Sequence, residues 1–148
     1  DAHENGNQAE RAPSALRQHF DLIRKTVGMA SLKDTAERLL ALPTEGDEWL
    51  ATAVDTFRRG SPTSAALAWE LQHRCRHRSL ADVFRIEYNV AISCCAAHDF
   101  AEGVRALLID KDRSPKWDPP TLAAVEQKFI ESHFRDHHDG AHPLSDWR

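Results

Sequence analysis

The chain has 148 residues, 41% of them apolar, and a formal charge of −4 at neutral pH. That length fits one domain, the charge balance speaks against nucleic acid as a partner, and no apolar run approaches the roughly 18–20 residues a membrane span needs. The polar opening Asp1–Arg11 lacks the apolar centre of a signal peptide, and three cysteines, two of them adjacent, make a poor disulfide framework and read as reduced, packed thiols.

Residues 1–12 read as a disordered lead, 13–136 as a helical domain and 137–148 as a flexible tail. Pro13 can open a first helix with Leu16, Phe20 and Ile23 on one face, and Gly28 ends it. Ser31 and Asp34 form a capping box for a second helix carrying Leu32, Ala36, Leu39 and Leu40, which Pro43 stops. Thr44 is the expected cap of a third, with Trp49, Leu50, Ala53, Val54 and Phe57 inward, closed by Gly60. Ser61-Pro62 supplies the N-cap and first position of a fourth, along which Leu67, Leu71 and Cys75 lie one turn apart.

A second box, Ser79 with Asp82, opens a fifth helix that is apolar around most of its circumference. A helix of that kind is expected to be surrounded by protein, which makes it the central one. Asp99 and Glu102 read as a third capping signature, with Phe100, Val104, Leu107 and Leu108 as a buried stripe. Ile109–Pro120 is a loop with three prolines, Thr121–Phe134 a last helix, and Arg135–Arg148 a His-rich end expected to fray. No β-like alternation occurs, so the predicted fold is all-α, with six or seven helices.

Candidate chemistry is sparse. His73 and His77 share a helical face, but Arg74, Arg76 and Arg78 interleave and repel a metal ion, so no metal site is assigned. The same basic segment reads either as an anion site or as a solvated helix end that complements the helix dipole. Cys94 and Cys95 lie in apolar surroundings that give no reason for a reactive thiolate. Glu87 sits among apolar residues, where an unpaired carboxylate is costly; pairing with Arg105 is the expected solution, and a catalytic acid or base the alternative. Gly103 inside the sixth helix costs about 1 kcal/mol relative to Ala, which predicts close approach by a neighbouring backbone. The chain has no Gly-rich phosphate cradle, G-x-S-x-G elbow, Cys-x-x-Cys pair or HExxH motif, so no catalytic residue and no cofactor is assigned.

One stretch is more particular. His98–Ala106, then Leu108-Ile-Asp-Lys-Asp112 and Ser114-Pro-Lys-Trp117, closely resembles the C-terminal signature of the 3-hydroxyisobutyryl-CoA hydrolases, a branch of the enoyl-CoA hydratase/isomerase (crotonase) superfamily. Ser61-Pro-Thr-Ser64 and Ile86-Glu-Tyr88 match further landmarks in order, and the resemblance covers residues 16–136. It implies a two-part protein: a core of β-β-α turns that binds the acyl-CoA and hydrolyses it, and a helical C-terminal region that covers the core. Only the helical region is expected in this chain, so by itself it is expected to be inactive.

The resemblance also implies CoA-binding residues. In related hydratases a lysine and an aromatic residue after the Glu-Gly helix approach the CoA adenine or its phosphate. Lys111 is the nearest match to the lysine, Leu107 stands where the aromatic would be, and Lys116 and Trp117 are the alternatives. Trp117 either stacks on a base or pins the loop. The implied partners are acyl-CoA, through the core, and further copies of the chain. The alternatives are a non-catalytic helical assembly module and part of an enoyl-CoA hydratase or isomerase. A bacterial cytoplasm or a mitochondrial matrix suits the reduced thiols.

Overall fold

The computed structural model describes residues 14–28 and 31–147. The expected lead at 1–12 and the helix-opening role of Pro13 lie outside them. Among the described residues there is no strand; the chain is all-α, as its patterning predicts. It divides into two compact units, Asp1–Val54 and Asp55–Arg148, and the division falls inside one helix.

In the first unit the opening helix is interrupted at His19, giving α1 (Ala15–Gln18) and α2 (Phe20–Val27). His19 bonds Ala15 O (2.7 Å) and the Asp47 carboxylate (2.5 Å), and its ring stacks on Trp49 at 4.7 Å. Carbonyl and carboxylate oxygens accept, so the imidazole that makes both bonds is the protonated form. The bond to Asp47 is the main cause of its raised pKa. Ser31 caps α3 (Leu32–Leu40) as expected, accepting from Asp34 N at 3.1 Å.

The cap of α4 (Glu48–Arg59) corrects the prediction. Asp47, not Thr44, accepts from Leu50 N (2.9 Å), because the chain still turns at Glu45 and Gly46. Gly46 has φ +80°, a conformation that only a residue without Cβ adopts freely.

In the second unit Ser61 and Pro62 start α5 (Pro62–Cys75), with Ser64 N bonding Ser61 Oγ at 3.0 Å. Ser79 caps α6 (Leu80–Ala96) by the same geometry on Asp82 N. α5 packs against α6, against a 3₁₀ turn at Leu122–Ala124 and against α8 (Gln127–Ser132). The core holds Ala66, Leu67, Val90, Ala106 and Ile130, the last being 1% exposed.

Four expectations fail here for physical reasons. α6 is not enclosed: Ala81, Asn89 and Val90 are buried, while Leu80 is 71% exposed and Phe84 and Cys95 are also exposed. The last helix is split, with extended backbone at Val125 and Glu126 between the 3₁₀ turn and α8. The predicted stripe of α7 (His98–Val104) and the turn after it is outward, with Phe100, Leu107 and Leu108 all exposed.

The tail, finally, lies along α6 instead of fraying. Arg85 donates to Leu144 O (3.1 Å), Ser145 O (3.4 Å) and Trp147 O. Asn89 Nδ2 donates to Asp136 (2.9 Å), and the Phe84–Trp147 and Tyr88–His142 rings meet edge to face.

Candidate functional site

The most structured feature of the second unit is the return from α7 through residues 105–118. α7 runs into a π turn at Arg105–Ile109, closed by Asp110 N on Arg105 O at 2.8 Å. Such wide turns break the regular ladder and concentrate at functional sites. Leu107, Leu108 and Ile109 stand outward on it, while Ala106 is buried. Lys111 (φ 57°) and Arg113 (φ 55°) then take left-handed backbone conformations, costly for residues with a Cβ and held only where their surroundings enforce them.

What enforces them is Arg105. A guanidinium has five N–H donors, and here all five are used. Nε and Nη2 bind the two Glu102 oxygens at 2.8 Å each, in the bidentate fork. Nη1 reaches Asp110 and Asp112, both at 2.7 Å, and Nη2 also reaches Ser114 O at 3.3 Å. Glu102, 9% exposed, takes a further bond from Lys116 N at 2.7 Å. The Arg105 bonds, then the Lys116 amide, hold the Glu102 pKa down to about 2. The same guanidinium lowers Asp112, and its carboxylates raise Arg105 itself, Glu102 foremost.

A second anchor is Asp99. It accepts from Ser61 Oγ (2.5 Å) and from Asp118 N (2.9 Å), joining the start of α5 to the end of the loop. No side chain caps α7, whose N-cap is Ala97, so Asp99 and Glu102 are loop anchors and not the capping pair that the sequence suggested. His98 Nε2 donates to Lys116 O (2.9 Å), and Trp117 Nε1 donates to Arg59 O (2.8 Å) at the end of α4.

The expected close backbone approach at Gly103 is not found; a side chain faces it at ordinary contact distance. A Cβ there would lie 3.5 Å and 3.7 Å from two atoms of the Trp117 ring. Trp117 thus ties the loop to the end of α4 and faces α7.

Between these elements runs a groove of about 780 Å³. Its apolar walls include Leu67, Phe100, Val104 and Trp117, with Arg59 and Arg113 as cations. Cys94 also lines it, and desolvation pushes its thiol pKa up, which disfavours the thiolate.

The expected Glu87–Arg105 pair does not form. Glu87 is exposed and needs no buried partner, and Arg105 is saturated by acceptors from its own turn and loop. The basic end of α5 is partly neutralised as well: Arg74 pairs with Glu70 (3.2 Å) and Glu131 and lies over the Phe134 ring. Lys111 and Lys116 come to one loop with Trp117, and both are exposed. Lys116 is fixed through its backbone. Sequence reasoning missed Asp99, Glu102 and Arg113; the only local signal was the Glu102-to-Arg105 spacing of one helical turn.

A family model described as enoyl-CoA hydratase/isomerase matches residues 1–134. The mitochondrial 3-hydroxyisobutyryl-CoA hydrolase of Danio rerio is 36% identical over 122 residues, which is 82% of this chain and 31% of that protein. The same-named protein of Homo sapiens is 32% identical over 120 residues, 81% of this chain and 30% of the relative. Among solved structures, a carnitinyl-CoA dehydratase from Mycobacterium thermoresistibile is similar at TM-score 0.71 and 29% identity, over 86% of this chain and 36% of its own. An enoyl-CoA hydratase from Rhodobacter sphaeroides 2.4.1 is similar at TM-score 0.71 and 30% identity, over 84% and 36%. The chain spans about a third of the length of the relatives it matches.

Proposed function

The chain belongs to the enoyl-CoA hydratase/isomerase family, and from that premise we propose that it is the helical C-terminal part of an acyl-CoA thioester hydrolase acting on 3-hydroxyisobutyryl-CoA. In this reading it covers the catalytic core and completes the CoA pocket, while the groups that cleave the thioester belong to the core. The observation that carries the proposal is the anchored loop 105–118, which holds Lys111 and Lys116 exposed and is tied to α4 by Trp117. A lysine on such a loop meets a phosphate as a point charge. Trp117 contributes by holding the loop, since its N–H and one ring edge are already engaged.

The named relatives support the hydrolase branch, and the hydratase and dehydratase among the solved structures keep an enoyl-CoA hydratase or isomerase as the alternative parent. The mitochondrial names of the hydrolases support a mitochondrial setting, and a bacterial cytoplasm suits the free thiols equally.

The test is turnover. The purified chain, assayed for CoA release from 3-hydroxyisobutyryl-CoA, is expected to give none above background. Hydrolysis at an ordinary enzymatic rate would overturn the assignment of the chemistry to the core. The full reading frame gives a second check: a crotonase-type core encoded upstream is expected.

A non-catalytic assembly module is the second reading, favoured by the outward apolar residues Phe100, Leu107, Leu108 and Ile109. Both readings predict self-association of the isolated chain. Sedimentation as a strict monomer at high concentration counts against the apolar face being an interface.

A further inference from the structure

Residues 102–116 contain Glu102, Asp110 and Asp112 against Arg105, Lys111, Arg113 and Lys116, an excess of only one positive charge. Left to themselves, the two loop carboxylates would be the natural partners of the neighbouring cations, since Asp110 and Asp112 flank Lys111 directly and Asp112 precedes Arg113. The structure sorts them differently. Arg105 takes Glu102, Asp110 and Asp112 together with Ser114 O. Lys111, Arg113 and Lys116 are exposed, and among the described residues none of their side chains has a hydrogen bond or ion pair.

The backbone agrees with this sorting. Lys111 and Arg113 hold left-handed φ on either side of Asp112, and Asp112 Oδ1 accepts from Ser114 N at 2.8 Å. The strained positions are thus the two cations, and the residue between them is the one tied to Arg105 and to Ser114.

We propose that Arg105 is the positioning residue of this loop: by occupying the carboxylates of Glu102, Asp110 and Asp112 it leaves Lys111, Arg113 and Lys116 as an uncompensated cation set for the phosphates of CoA. The proposal rests on the CoA reading above and adds to it Arg105, as a group that never meets the ligand, and Arg113, as a third cation that does. Arg113 is the one of the three that also lines the groove. Removing Arg105 has a specific consequence, which is that the freed carboxylates turn onto the cations and compete with the phosphates.

The experiment is titration of free CoA into the 148-residue chain by calorimetry, with four variants. R105Q is expected to weaken binding about tenfold, the loss of one charge-assisted contact or more. K111Q/R113Q/K116Q is expected to weaken it at least as much. Adding R105Q to that triple variant costs nothing further, because the two act through the same groups. R105Q/D110N/D112N regains most of the lost affinity, since the two loop carboxylates are gone and Glu102, 9% exposed, is still held by the Lys116 amide. Where R105Q does not fold, R105K replaces it: a single ammonium cannot span four acceptor groups, so affinity falls and D110N/D112N restores it.

A purely structural Arg105 would give no rescue by D110N/D112N and an additive loss with the triple variant, and either result overturns the proposal. Equal affinity of R105Q and the parent chain overturns it too, with the CoA reading intact. A parent chain that binds no CoA overturns this inference, which places enough of the phosphate site in these residues to be measured on their own, and leaves the reading of a pocket completed by the core standing.

Discussion

In the unit that ends at Val54, the longest charged link among the described residues is His19 to Asp47, and the remaining ion pair, Lys33–Glu37, spans one helical turn. From Asp55 onward, some charged links reach further along the chain and others gather in one place. Arg74 meets Glu131, Asp99 meets Asp118 N and Ser61, and Arg105 gathers three carboxylates and a carbonyl. The first unit uses charge to join helices that would form anyway. The second uses it to hold an irregular loop that has few apolar residues of its own to bury. Order in a loop needs such fixed partners, because its backbone groups have no ladder to enter.

The contrast can be broken at the core first. Ile130→Ala, at the most buried side chain, should cost about 2–5 kcal/mol by denaturant unfolding, with amide protection lost in α5 and α8. A loss under 1 kcal/mol would mean that this unit is held chiefly by its polar links.

Acid is the next probe. The Glu102 pKa lies at about 2 in the folded chain against an ordinary value of 4.5. Its contribution is therefore fully present above about pH 4.5 and is lost as pH falls toward about 2. E102Q should flatten the acid side of the stability curve, leaving the shallower slope due to groups such as Asp112, Asp47 and Glu131, whose pKa values are also lowered. An unchanged acid limb would show that the clamp does not act through an ionised Glu102.

Trp117→Phe deletes the N–H to Arg59 O and draws the ring edge back from Gly103, so at least about 0.5–1.5 kcal/mol is expected. Gly103→Ala sharpens the same point from the other side. The new Cβ would sit at ordinary contact distance from the Trp117 ring, so the helix-propensity gain of up to about 1 kcal/mol should be realised. A destabilised G103A would show that the ring has no freedom to adjust.

The smallest effect belongs to the first unit and has the opposite sign in pH. The raised pKa of His19 means that its contribution is present below pH 6.5 and is lost as pH rises through the folded value. H19Q should reduce amide protection in α2 at pH 5.5 and leave it nearly unchanged at pH 9, with no change in residues 98–118.

How much of this could be read from the residues depends on chain separation. The Ser31, Ser61 and Ser79 caps were legible because donor and acceptor lie three residues apart, and so were the helices behind them. The Asp99–Glu102 signature looked the same, but both carboxylates serve groups 14 to 38 residues away. Capping chemistry and tertiary anchoring ask for the same side chains, and nothing local distinguishes them. Gly103 suggested a close backbone neighbour, yet the group that faces it is an indole at a distance that admits a Cβ. Periodicity likewise marked Leu107 and Leu108 as one face but not whether this chain covers that face.

Arg85 has one more consequence. Its guanidinium grips Leu144, Ser145 and Trp147 through main-chain oxygens, which every amino acid carries. The identities at those three positions are accordingly free to drift without loosening that grip, whereas a single exchange at Arg85 would release all three attachments at once.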